Sequence, residues 1–106
     1  MATIRIHERP ETFESNLMTS ILNVLLKNRF PIQTICGGRA VCGRDLIRIR
    51  EGAQFLSPMR AAERRRLDEL AREGEPSGPD MRLACQTFTR GDVVIEVVHL
   101  IAHPGA

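Results

Sequence analysis

Apolar and polar positions alternate over residues 2 to 7 (ATIRIH), which sets Ile4 and Ile6 on one side and Thr3, Arg5 and His7 on the other. That period predicts a half-buried strand. Pro10 marks a turn, and residues 11 to 15 (ETFES) supply a second short strand carrying Thr12 and Phe13. The two make an N-terminal hairpin through a loop around Glu8, Arg9 and Pro10. The period then changes. Leu17, Met18, Ile21, Leu22, Leu25 and Leu26 recur at helical spacing, with Ser15 or Asn16 available as N-cap. Lys27, Asn28 and Arg29 close this helix at the negative end of its dipole, and Pro31 prevents its continuation.

Beyond residue 45 the pattern returns to period two. Residues 46 to 50 (LIRIR) place Ile47 and Ile49 against Arg48 and Arg50, and Glu51 and Gly52 end the strand. Ser57 and Pro58 have the chemistry of an N-cap and first helical residue. Met59, Ala62, Leu67, Leu70 and Ala71 mark the inner face of the helix that follows, and its remaining positions are charged. Residues 73 to 80 (EGEPSGPD) form a link rich in Gly and Pro, to which no element is assigned. Residues 81 to 86 (MRLACQ) form a short extended piece. Asp92 to Leu100 is the most apolar strand, expected at the centre of the sheet and buried on both faces. The order strand, strand, helix, loop, strand, helix, short strand, strand implies an α+β domain with one mixed sheet.

A length of 106 residues fits a single domain spanning 1–106, and 42% hydrophobic residues suffice for a core. The formal charge of +2, with no Trp or Tyr to stack on bases, argues against nucleic acid. The run Arg64-Arg65-Arg66 is flanked by Glu63, Asp68 and Glu69 and reads as a solvated helix face with local ion pairs. The N-terminus lacks the pattern of a secretory signal, and the apolar-rich stretch 17 to 26 is too short to span a bilayer. A cytoplasmic protein without membrane insertion is expected.

The chemistry concentrates in residues 36 to 45 (CGGRAVCGRD) and in Cys85. All three cysteines fall in these two places, and Gly37, Gly38 and Gly43 lie in the first. In a reducing compartment such thiols suit metal or cluster ligation. The small residues of Gly37-Gly38-Arg39-Ala40 let backbone N–H groups approach a cluster's sulfides, and Cys85 closes the cage from a separate segment. Zinc is the competing metal, but its usual tight C-x2-C pairs are missing. A Rieske centre needs two histidine ligands, and His7, His99 and His103 are distant from the loop cysteines in sequence.

The succession Cys36, Cys42, position 45, then Cys85 within RLACQ resembles the [2Fe–2S] ferredoxins of plant and vertebrate type, in the longer-spaced vertebrate and bacterial branch. The likeness covers nearly the whole chain, from CGGRAVCGRDLIRI through SPMRAAERRRL to RLACQ. It implies the β-grasp fold, a [2Fe–2S] cluster, and Cys36 and Cys42 on the reducible iron. Asp45 stands where the family has its third cysteine. The resemblance implies that Asp45 and Cys85 hold the inner iron, where a hard oxygen ligand is tolerable because that iron stays ferric. The other readings of Asp45 are an inert substitution in a degenerate ferredoxin that holds no cluster, and a surface carboxylate paired with Arg44 or Arg48 while water or a nearby side chain completes the site.

With no nucleotide motif and no length to spare for a substrate pocket, the chain reads as an electron carrier, not an enzyme. Its partners are then a reductase donor and an enzyme acceptor. A sensor of redox state or iron supply with a labile cluster is the second reading. Arg39, Arg44, Arg48 and Arg50 suggest a mixed or basic docking face.

Overall fold

The predicted order of elements recurs in the structure, a computed structural model that describes residues 2–32 and 45–99. Cys36, Gly37, Gly38, Arg39, Ala40, Cys42, Gly43, Arg44 and His103 lie outside the described residues. The elements are β1 (Ala2–Ile6), β2 (Thr12–Ser15), α1 (Ile21–Lys27), β3 (Leu46–Glu51), α2 (Ala61–Arg72), β4 (Met81–Leu83) and β5 (Val93–Val97), with 3-10 turns at Ala53–Phe55 and Ala84–Gln86.

The strands form one mixed sheet in the order β2-β1-β5-β3-β4. The hairpin pairs Ala2 with Ser15 and Ile4 with Phe13, and β1 runs parallel to the central β5. Its loop is held by Arg9, which donates to both oxygens of Glu11 and lies 5.0 Å from the centre of the Phe30 ring. The Arg9 guanidinium holds the Glu11 carboxyl below its ordinary range. This exposed pair orders the turn and adds little to stability.

One face of the sheet is apolar. Ile4, Ile6, Ile47, Ile49, Val93 and Ile95 are buried there, and Ile21, Leu22, Val24 and Leu25 of α1 belong to the same core. Each fully buried Leu or Ile contributes about 1.5–3 kcal/mol. Gly52 ends β3 at φ 88°, and a Cβ there would lie 2.4 Å from the Asp92 carbonyl oxygen, so only glycine fits.

The helix starts differ from those expected. α1 begins at Ile21, and Ser20 is its N-cap, its Oγ accepting from Asn23 N at 3.2 Å. Asn16 instead turns the preceding chain, its Oδ1 accepting from Met18 N at 2.8 Å, and Ser15 belongs to β2. Leu17 and Met18 are therefore exposed, at 62% and 89%. α2 begins at Ala61 with Arg60 as N-cap. Ser57 is spent elsewhere: its N–H donates to Phe88 O at 2.8 Å, and its Oγ accepts from Phe88 N at 3.0 Å.

On α2 the expected inner residue Ala62 is exposed, whereas Glu63, expected on the solvated face, has no exposure at all. β5 is central as expected but fully buried on one face only. Val93 and Ile95 point into the core, and Val94, Glu96 and Val97 are half-buried. The second face is polar because Glu96 lies across from Arg48 and Arg50, 3.9 and 3.4 Å from their nitrogens.

Candidate metal centre

Two of the four expected ligands meet because of strand register. β3 pairs antiparallel with β4, setting Leu46 opposite Leu83, Ile47 opposite Arg82 and Arg48 opposite Met81. The ladder continues past its end: Ala84 N donates to Asp45 O at 3.0 Å. The next amide, Cys85 N, donates to Asp45 Oδ2 at 2.6 Å, joining residues forty positions apart. Asp45 is only 1% exposed and Cys85 only 8%.

Cys85 sits on the 3-10 turn Ala84–Gln86, and every flanking residue is tied down. Gln86 Nε2 lies 3.7 Å from Cys85 Sγ. Thr87 Oγ1 donates back to Leu83 O at 2.7 Å, while Thr87 O accepts from Ile21 N, linking the turn to the start of α1. Phe88 is clamped by Ser57.

The strongest brace lies on the N-terminal side. Glu63 accepts from Arg82 Nε at 2.7 Å and from its second nitrogen, Nη2, at 3.0 Å, a bidentate bond with no more than 8% side-chain exposure on either partner. Glu63 Oε2 also accepts from Leu83 N at 3.0 Å, so the outward amide of the edge strand is satisfied by α2. Arg82 Nη1 donates to Ser57 O at 3.0 Å. Buried charges are tolerated only when paired and hydrogen-bonded in this way. The sequence reading missed Glu63, Arg82 and Ser57 as supports of the site, although Glu63 precedes Leu67 and Leu70 at positions i, i+4 and i+7 of one stripe.

Asp45 is not a surface carboxylate. Arg48, one of the partners considered for it, bonds Asp80 at 2.9 Å and lies 3.9 Å from Glu96. Arg50 also pairs with Glu96, so neither arginine offers an uncommitted charge for docking. The second carboxyl oxygen, Asp45 Oδ1, is buried and accepts no hydrogen bond among the described residues. A buried oxygen left unpaired costs about 1–3 kcal/mol. A metal ion beside Cys85 would satisfy it, and oxygen next to sulfur is a donor pair suited to ferric iron. The residues present therefore fit an iron–sulfur group. No group of three or more metal-binding side chains assembles among the described residues, because Cys36 and Cys42 lie outside them. His7 and His99 take no part: they stand 3.7 Å from Glu8 and 2.7 Å from Glu75.

No protein-family model matches the chain, and no curated protein does. Solved structures do. An ISC-like [2Fe–2S] ferredoxin from Pseudomonas putida superposes with a TM-score of 0.76 at 23% identity, over 97% of this chain and 98% of that one. A ferredoxin from Rhodopseudomonas palustris gives 0.72 at 23% identity, over 95% and 98%. The fold is that of the [2Fe–2S] ferredoxins. The same ferredoxin fold occurs within a ferredoxin reductase in carbazole 1,9a-dioxygenase, at a TM-score of 0.71 and 22% identity, where 92% of this chain covers 26% of that longer one. In this ferredoxin fold, no helix among the described residues is long and apolar enough to cross a membrane.

Proposed function

We propose that this protein is a one-electron carrier holding a [2Fe–2S] cluster on Cys36, Cys42, Asp45 and Cys85. Cys36 and Cys42 hold one iron, and Asp45 and Cys85 hold the other. When bound, such a cluster supplies one-electron chemistry by cycling between diferric and mixed-valence states. The observation that carries the reading is Asp45: buried, bonded through Oδ2 to Cys85 N, and left with Oδ1 unpaired among the described residues. The ferredoxin fold supports it, and so does the spacing of the cysteines.

The chain's own task is to hold the site still. Asp45 fixes the Cys85 amide, Glu63 and Arg82 lock the strand leading into it, and Ser57 and Thr87 lock the segment leading out. Little rearrangement is then needed as the electron arrives or leaves. Its partners are a reductase donor and an acceptor enzyme. On this reading the protein passes electrons without catalysing a reaction of its own, and works in the cytoplasm as one domain over residues 1–106.

The test is anaerobic purification followed by iron and acid-labile sulfide analysis. About two of each per chain, with the visible bands of a [2Fe–2S] centre that bleach on one-electron reduction, are expected. Zinc without sulfide would overturn the reading. Loss of the bands on mild oxidation, with a change in partner binding, would favour a sensor over a carrier.

A further inference from the structure

The positive charge of the molecule is distributed unevenly once its ion pairs are drawn. Arg9, Arg48, Arg50, Arg66 and Arg82 are all paired to carboxyl groups. Eight exposed Lys and Arg side chains form no ion pair among the described residues, Arg5, Lys27, Arg29 and Arg90 among them. The other four, Arg60, Arg64, Arg65 and Arg72, all belong to α2 or to its N-cap, the densest group of them.

The helix could have neutralised them and does not. Glu63 turns inward to Arg82, and Glu69 and Glu73 both turn to Arg66, at 3.2 and 3.3 Å. Asp68 is the one exposed carboxyl without an ion pair among the described residues between Arg60 and Arg72. At 1.5 Å per residue these arginines form a ridge about 18 Å long.

Its position is equally specific. Glu63 fastens the inner face of α2 to the strand that leads into Cys85. Arg60 and Cys85 line one hollow of about 600 Å³, together with Ser57, Pro58, Gln86 and Phe88. The ridge thus begins beside a proposed ligand of the cluster.

We infer that the arginine face of α2 is the surface on which a redox partner docks, and that the partner presents an acidic surface there. This rests on the carrier reading. Like charge concentrated on one face raises the local concentration of an oppositely charged partner and steers its approach. The ridge replaces Arg48 and Arg50 as the basic face, because those two are already paired.

The experiment uses the full, cluster-loaded chain, reduced by dithionite. Oxidation by hexacyanoferrate(III), an anion, and by hexaammineruthenium(III), a cation, is followed at rising ionic strength. Poly-L-glutamate serves as a mimic of an acidic protein surface and duplex DNA as a different polyanion. The variant is Arg60→Glu with Arg65→Glu; Arg5→Glu with Lys27→Glu is a charge-matched control at exposed sites off α2. At low salt the ridge variant is expected to lose about tenfold in the hexacyanoferrate rate and to gain with the cation. The control is expected to change far less, and added salt to erase the difference. Arg60→Gln with Arg65→Gln should fall between the ridge variant and wild type. Poly-L-glutamate should slow wild-type oxidation and spare the ridge variant, while the visible spectrum stays unchanged; a lower midpoint potential from the added negative charge acts on both oxidants alike and leaves their contrast intact.

Equal rates in ridge variant and control, with iron and sulfide present, would overturn this inference alone. Slowing by duplex DNA but not by poly-L-glutamate would assign the ridge to nucleic acid and overturn it too. Absence of iron and sulfide would overturn the carrier reading, and the docking face with it.

Discussion

Replacing Glu63 by alanine is expected to destabilise the protein by about 3–5 kcal/mol, because it leaves Arg82 buried without its counter-charge. Arg82 would keep only its bond to Ser57 O. Leu83 N would lose its acceptor at the same time. Against a total stability of about 5–15 kcal/mol for an ordinary domain, that loss is severe. Urea unfolding should show a lower midpoint, with wild-type cooperativity if the native state survives. The exposed neighbour Asp68, changed to alanine, should shift stability by no more than about 0.5 kcal/mol. Replacing Glu63 and Arg82 together by methionine should recover most of the loss, since removing both charges leaves none unpaired. A cost for Glu63→Ala no larger than that for Asp68→Ala would show that the pair does not brace the site.

The second large effect is expected at Asp45. Asp45→Ala removes the acceptor of Cys85 N and the unpaired Oδ1 in one step. Leaving that amide unsatisfied should cost about 1–3 kcal/mol. Asp45→Asn keeps a carbonyl oxygen for Cys85 N but puts an amide NH2 in place of the other oxygen, so the turn should hold. Both variants should retain at least about tenfold less iron than wild type when purified anaerobically, since even residues that only support a ligand are worth that much. The asparagine variant separates the two roles of Asp45. Full iron content with Asp45→Asn would make the residue a brace for Cys85 and nothing more.

Much of the fold is legible in the sequence because period-two alternation in β1 and β3 reports directly which side chains face the core. Ile4, Ile6, Ile47 and Ile49 are all buried as that alternation predicts. The helix starts were harder to read, because several residues could serve as N-cap and the choice is made by tertiary hydrogen bonds. Ser57 has the chemistry of a cap but spends it on Phe88, more than thirty residues away in sequence. Asn16 likewise closes a turn instead of opening a helix. Glu63 was misread for a related reason. A charged residue on a helical stripe is usually solvated, and only the approach of Arg82 from β4 makes its burial tolerable. The place of Asp45 was legible as a spacing in the sequence. Its burial became visible only through the register that sets Leu46 opposite Leu83.

The central claim, that Asp45 completes the cluster's ligand set, is tested most directly by comparing wild type with Asp45→Cys in visible absorption, EPR of the reduced form and midpoint potential. Thiolate is a softer and more strongly donating ligand than a carboxyl oxygen, so the electronic structure of the cluster should change. The cysteine variant should therefore show a shifted visible spectrum, an altered EPR signal and a midpoint potential different from that of wild type. Identical spectra, EPR and potential in the two proteins would contradict the claim.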